Sequence, residues 1–156
     1  MGVIHKELIK TGIDAKNFKE VLIEMAGLLR KYDYVKESFT DAVIEREKIY
    51  PTGLNLPIGI NIAIPHTDAC HVNKTAIAIG VLKSPVQFKS MATKIDDLDV
   101  SLVVMLAIKE SKKQVETLKR AMEFFQEEEA IKKIINSKTT QEVYDIASKF
   151  FDVKEV

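Results

Sequence analysis

Hydrophobic positions along the chain follow two periods. From Asp14 onward, Phe18, Val21, Leu22, Met25 and Leu29 recur at three- and four-residue spacing, the signature of one helix face. Asp14 is the expected N-cap of that helix. A second helix is expected to begin near Ser38, with Asp41 three residues on, and to run through "DAVIEREKI" (41–49). Pro51 and Gly53 end it.

The middle of the chain changes period. "INIAI" (60–64), "TAIAIGVL" (75–82) and "DVSLVVMLAI" (99–108) are short, rich in Ile and Val, and nearly free of charge. Such runs predict strands buried on both faces of a sheet. "VQF" (86–88), just after Pro85, reads as a short edge strand. After Lys109 the helical period returns, and Val115, Leu118, Met122 and Phe125 predict one inward face. "EEEAIKKIIN" (127–136) predicts a short helix with Glu at its positive end and lysines later. Thr139 and Glu142 have capping-box spacing before a last helix whose Val143, Ile146, Ala147 and Phe150 point inward. Helices at both ends with strands between predict an α/β fold, a three-layer sandwich with a central mixed β-sheet flanked by helices on both faces. The sheet is expected to be mixed because "INIAI" and "TAIAIGVL" are joined too briefly for a helical crossover.

Composition narrows the function classes. The 156 residues suit a single domain, 1–156, and are 46% hydrophobic and 29% charged, which argues against disorder. Lys+Arg and Asp+Glu balance at 23 each, so no basic field points to nucleic acid. The single cysteine, Cys70, has no internal disulfide partner, and its default reading is a small buried residue. "MGVIHKELIKTGID" lacks the pattern of a signal peptide, and no apolar run reaches the roughly 18 residues of a membrane span. A cytoplasmic location is expected.

The candidate chemistry gathers in "INIAIPHTDACH" (60–71), which holds two of the chain's three histidines at the end of a predicted strand. His5, the third, has no partner in sequence and reads as a surface residue. Neither phosphate-binding glycine motif is present: Gly53 and Gly59 are spaced like the ends of G-x-x-x-x-G-K-[ST], but Ile60-Asn61 follows. Three readings of the histidine cluster stand. His66, Asp68, Cys70 and His71 are all possible zinc ligands, though their spacing matches no standard pair. His66 is alternatively a nucleophile, since a neutral imidazole nitrogen can take a phosphoryl group and release it. Third, His66 simply caps a strand end. Pro65 fixes the backbone before it and holds Ile64 extended. Thr67 and Asn61 are expected to offer hydrogen bonds near the ring.

"AIPH" after a short apolar strand, with "ERE" and "PTGL" upstream and "VSLVVMLAI" downstream, resembles the active-site signature of the type-2 IIA domains of the sugar phosphotransferase system. The resemblance runs from the first helix to the last and is greatest to galactitol-specific IIA components. It implies that His66 accepts a phosphoryl group from phospho-HPr and passes it to a cysteine of a cognate IIB component. Membrane IIC is then met only indirectly, and no cofactor or metal is needed, because the phosphoryl group comes from another histidine. Arg46 matches the family's arginine upstream of the histidine, and its guanidinium suits the oxygens of a group in transfer. Where many mannitol- and fructose-type members carry a second histidine, this chain has Gln114, which donates a neutral hydrogen bond and does not titrate. His71 matches a histidine of galactitol-type sequences and reads either as a partner or positioning group for the site or as an ordinary loop residue. Cys70 is not the phosphocysteine, which belongs to IIB. The alternative function is a regulatory module of the same fold, whose phosphorylation at His66 controls a transcriptional or metabolic partner.

Overall fold

The structure, a computed structural model, describes residues 2–152. In these residues the chain runs through one strand, two helices, four strands and three helices: β1 (Ile4–Ile13), α1 (Phe18–Lys31), α2 (Phe39–Ile49), β2 (Gly53–Asn55), β3 (Asn61–Ala63), β4 (Ala76–Lys89), β5 (Asp97–Ala107), α3 (Ser111–Phe124), α4 (Glu128–Ile135) and α5 (Thr140–Phe151). The strands form one mixed sheet in the order β1-β4-β5-β3-β2. β1 runs parallel to β4 and β3 parallel to β5, while β4–β5 and β2–β3 are antiparallel. Among the described residues no helix is long and apolar enough to cross a membrane.

The sheet has a core on each face. On one side Ala76, Ala78, Val103, Met105 and Ala107 meet Leu22, Met25 and Leu29 of α1 and Phe39 and Val43 of α2. On the other, Ile77, Ile79, Val104 and Leu106 meet Ala121 and Phe124 of α3, Ile131 and Ile134 of α4 and Val143 and Ala147 of α5. Along Ala76–Ile79 of β4 and Leu102–Ala107 of β5 successive residues face opposite cores, which is why those stretches are apolar throughout, while the other ends of the strands carry Lys83, Lys89, Asp97 and Asp99. This is the three-layer α/β sandwich expected from the hydrophobic pattern, with its mixed sheet.

Several elements differ from the sequence-based expectation. The chain opens with a strand rather than a helix. In β1 the buried residues are Ile4, Leu8, Ile9 and Ile13, which do not alternate. The pairing with β4 shifts register twice, and Gly12 takes φ +67°, so the period of two is broken where it would have been read. The cap of α1 is Asn17, not Asp14: the Asn17 side chain accepts the Glu20 amide at 3.0 Å. "VQF" is not a separate edge strand but the continuation of β4, paired with β5 through Val86–Val100. Pro85 sits in the exposed bulge between Val81 and Val86, where its missing N–H costs no ladder bond.

Helix α3 presents a different face from the expected one. It buries Ala121 and Phe124, while Val115 is 73% exposed and Met122 is also exposed. Leu118 is half-buried, and Phe125, just past the helix end, is buried. At α5 the Thr139 hydroxyl accepts the Glu142 amide as expected, but the Glu142 carboxylate reaches back to the Lys138 amide. Ile146 and Phe150 are only partly buried, and Phe151 completes the inward set.

Candidate functional site

β3 ends at Ala63, but the chain does not leave the sheet there. The Pro65 carbonyl accepts the Leu106 amide at 3.0 Å, and His66 bridges to Leu106 of β5. His66 therefore stands just beyond the carboxyl ends of the parallel pair β3 and β5, where α/β sheets build their sites. Helix α2 covers one face of the sheet and α3 the other. At this end of the sheet the two layers approach, and a cleft of about 140 Å³ opens between them, lined by Arg46, His66, Thr67, Gln114, Val115 and Leu118 among others.

The His66 ring is half-buried, and its Nδ1 lies 2.8 Å from the Ile64 carbonyl oxygen. A carbonyl only accepts, so Nδ1 carries the proton, and in the neutral ring the lone pair resides on Nε2. Burial holds the His66 pKa below its ordinary value. The Ile64 carbonyl opposes that shift, the Arg46 charge adds to it, and the Asp68 carboxylate opposes it. Burial thus favours the neutral ring, whose Nε2 lone pair is free to accept a bond.

Arg46 projects from the last turn of α2, with its guanidinium 5.2 Å from the Tyr50 ring centre. Its Nε is buried and makes no hydrogen bond among the described residues. A fixed cation with a free donor is a place for an anion. Gln114, in the first turn of α3, donates from Nε2 to the Thr67 carbonyl at 3.1 Å. It thereby tethers the loop after His66 to the opposite helix layer. Thr67 is buried, so its side chain serves the packing of that loop as well as lining the cleft.

Asn61 and His71 lie elsewhere. Asn61 begins β3 and donates to the Asp99 carbonyl at 3.1 Å, a link between neighbouring strands away from the cleft. The Nδ1 of His71 pairs with the Ser38 hydroxyl at 2.7 Å, at the start of α2, and does not touch the His66 ring. Cys70 is exposed rather than buried, because the short 3-10 turn Ala69–His71 runs over the surface. Among the described residues, no three His, Cys, Asp or Glu side chains gather as metal ligands would.

Two residues that the sequence reading did not single out stand directly behind the site. Glu47 is 5% exposed, and Thr52 is 3% exposed. Thr52 donates its amide to Glu47 at 2.7 Å and its hydroxyl to the same carboxylate at 2.9 Å. The Ile64 amide donates to the Thr52 hydroxyl oxygen at 3.2 Å. Desolvation by burial pushes the Glu47 pKa up to about 7, against the lowering effect of the Thr52 hydrogen bonds and the Arg46 charge. A signal for Glu47 was present in the sequence: Phe39, Val43 and Glu47 are four apart and share one helix stripe, so an acid falls where the core begins.

The chain is similar to known proteins along most of its length. The family described as "Phosphoenolpyruvate-dependent sugar phosphotransferase system, EIIA 2" matches residues 2–149. The chain is 30% identical over 148 residues to the PTS system fructose-specific EIIABC component of Bacillus subtilis, covering 92% of this chain but only 22% of that protein. It is 29% identical over 133 residues to the PTS system galactitol-specific EIIA component of Escherichia coli, covering 85% of this chain and 87% of that one. Its fold matches the structure of the complex of enzyme IIAMTL and phosphorylated enzyme IIBMTL from Escherichia coli with a TM-score of 0.73 at 21% identity, covering 92% of this chain and 95% of that one.

Proposed function

Since this chain belongs to the EIIA 2 family of the phosphoenolpyruvate-dependent sugar phosphotransferase system, and so is a phosphotransferase, we propose that His66 is its phosphoryl acceptor and that Nε2 is the atom that carries the group. The observation behind this reading is the Nδ1–Ile64 hydrogen bond, which leaves Nε2 as the nucleophile of a ring kept neutral by burial. In the first step the Nε2 lone pair attacks phosphorus, the P–N bond to the histidine of phospho-HPr breaks, and the departing ring nitrogen keeps the electron pair. In the second, a cysteine thiolate of a IIB component attacks the same phosphorus, and the bond to Nε2 breaks. Arg46, with its buried Nε free of protein acceptors, offers a donor and a fixed charge to the phosphoryl oxygens in both steps. Catalysis then consists of alignment and charge stabilisation.

Docking is by the apolar rim of the cleft. Val115 is 73% exposed beside the ring, and Leu118 lies next to it on α3. One face serves donor and acceptor in turn, which requires a small and short-lived interface. The chain acts as one EIIA unit, and IIC is reached only through IIB. The likeness to the galactitol-specific component makes a galactitol-type IIB the first acceptor to test.

The test is incubation with phosphoenolpyruvate, Enzyme I and HPr, followed by intact mass measurement. The wild type is expected to gain one phosphoryl group and His66→Ala none; a gain that persists in His66→Ala overturns the assignment. Addition of a galactitol-type IIB should then discharge the label onto a IIB cysteine. Phosphorylation at His66 without discharge to any IIB would favour the regulatory alternative over transport.

A further inference from the structure

Among the described residues Glu47 is the one fully buried acid, and the transfer chemistry has no direct use for it. We propose that Glu47 is a positioning residue for the acceptor histidine: through Thr52 and the Ile64 peptide it sets which nitrogen of His66 keeps the proton. The inference rests on the reading of His66 as the phosphoryl acceptor.

The direction of each hydrogen bond follows from the donors present once Glu47 is ionised. The Ile64 amide can only donate, so the Thr52 oxygen accepts it at 3.2 Å. With Glu47 ionised, as it is at pH 8, its carboxylate only accepts, and the hydroxyl's single proton points to it at 2.9 Å. The Thr52 amide, donating at 2.7 Å to the second carboxylate oxygen, holds the threonine on the acid at two points. Ile64 is therefore pinned on its amide side by a group rooted in α2. Its carbonyl, on the other side of the same residue, is the group that accepts the His66 Nδ1 proton at 2.8 Å.

Between Ile64 and His66 stands Pro65, whose ring fixes φ and whose carbonyl is held by the Leu106 amide at 3.0 Å. The path from Glu47 to the imidazole thus has little slack. Without the anchor, the Ile64 carbonyl is free to tilt, Nδ1 loses its acceptor, and the tautomer with the proton on Nε2 gains population. That tautomer has no lone pair on Nε2 to offer phosphorus. Neither Glu47 nor Thr52 is exposed to a docked partner, so the effect belongs to the chemical step and not to the encounter.

The experiment pairs two readouts on the full chain labelled with 15N-histidine. Nitrogen shifts of His66 at pH 8 report the tautomer, and single-turnover transfer from phospho-HPr reports the rate as HPr is varied. The wild type is expected to hold its proton on Nδ1. Thr52→Val and Glu47→Gln, both close to isosteric, are expected to show a mixed tautomer and a rate lower by roughly ten- to a hundredfold, with the half-saturating HPr concentration unchanged. Thr52→Ser keeps the hydroxyl and should restore both. If Thr52→Val does not fold, Glu47→Gln compared with Thr52→Ser decides by the same readouts. Wild-type tautomer and rate in a folded Thr52→Val or Glu47→Gln protein would overturn the proposal. A tautomer shift in the variants supports it even if the wild type takes up no phosphoryl group, in which case the functional reading alone has failed.

Discussion

Glu47 occupies a position on α2 where the helix stripe of Phe39 and Val43 calls for an apolar side chain, and its burial has a thermodynamic signature. The folded state holds its proton up to about pH 7, whereas an ordinary glutamate releases it near 4.5. Between those values the native protein binds more protons than the unfolded chain, so this group makes stability fall as pH rises, by roughly 3 kcal/mol at most. His66 has the opposite sign: its lowered pKa makes stability fall as pH drops through the ordinary histidine range. Glu47→Gln should remove the first effect and leave the second. Urea unfolding of the two proteins at pH 5 and pH 8 checks this: the stability of Glu47→Gln relative to wild type should rise between them. An unchanged difference would mean that Glu47 ionises in the folded state as it does in water.

At the scale of elements, β2 shows how a short piece of chain is held to a tight tolerance. Gly53 opens β2, and a Cβ there would lie 2.6 Å from the Lys89 carbonyl oxygen. The same residue accepts the Met91 amide at 2.8 Å, so the backbone has nowhere to retreat. Gly53→Ala should cost roughly 1–3 kcal/mol, as overpacking does, and the loss would appear as a lower denaturant midpoint. All five helices were legible in the sequence through their three- and four-residue spacing, and β3, the first half of β4 and β5 through continuous apolar runs; the second half of β4 was read as a separate strand because the bulge at Pro85 interrupts the run. β1 was not, because its register shifts scatter Ile4, Leu8, Ile9 and Ile13 off the two-residue repeat. β2 has only three residues and offers no period at all. The outward turn of Val115 was hidden because an apolar residue at helical spacing looks the same whether it faces the core or a partner. His66 was singled out from the strand-end cluster, and Arg46 and Gln114 from the family resemblance; the structure brings the three to one cleft. Glu47 and Thr52 lay within the same motifs, but their bonding to each other and to Ile64 is a three-dimensional fact that spacing does not encode.

For the molecule as a whole, the two helix layers are built on opposite faces of one sheet. The cleft draws Arg46 from one layer and Gln114 from the other, so its shape depends on how both layers seat on the sheet. The segment between them is stitched at two backbone points just before the histidine, the Ile64 amide on Thr52 and the Leu106 amide on Pro65. Both donors are buried beneath the site rather than on its rim. Deuterium uptake should therefore be slow at Ile64 and Leu106, on the timescale of global opening, and fast at exposed Asp68 and Cys70 only a few residues away. The loop that carries His66 would then be kinetically part of the sheet: if the imidazole is the phosphoryl acceptor proposed above, its readiness is set at folding instead of at each encounter.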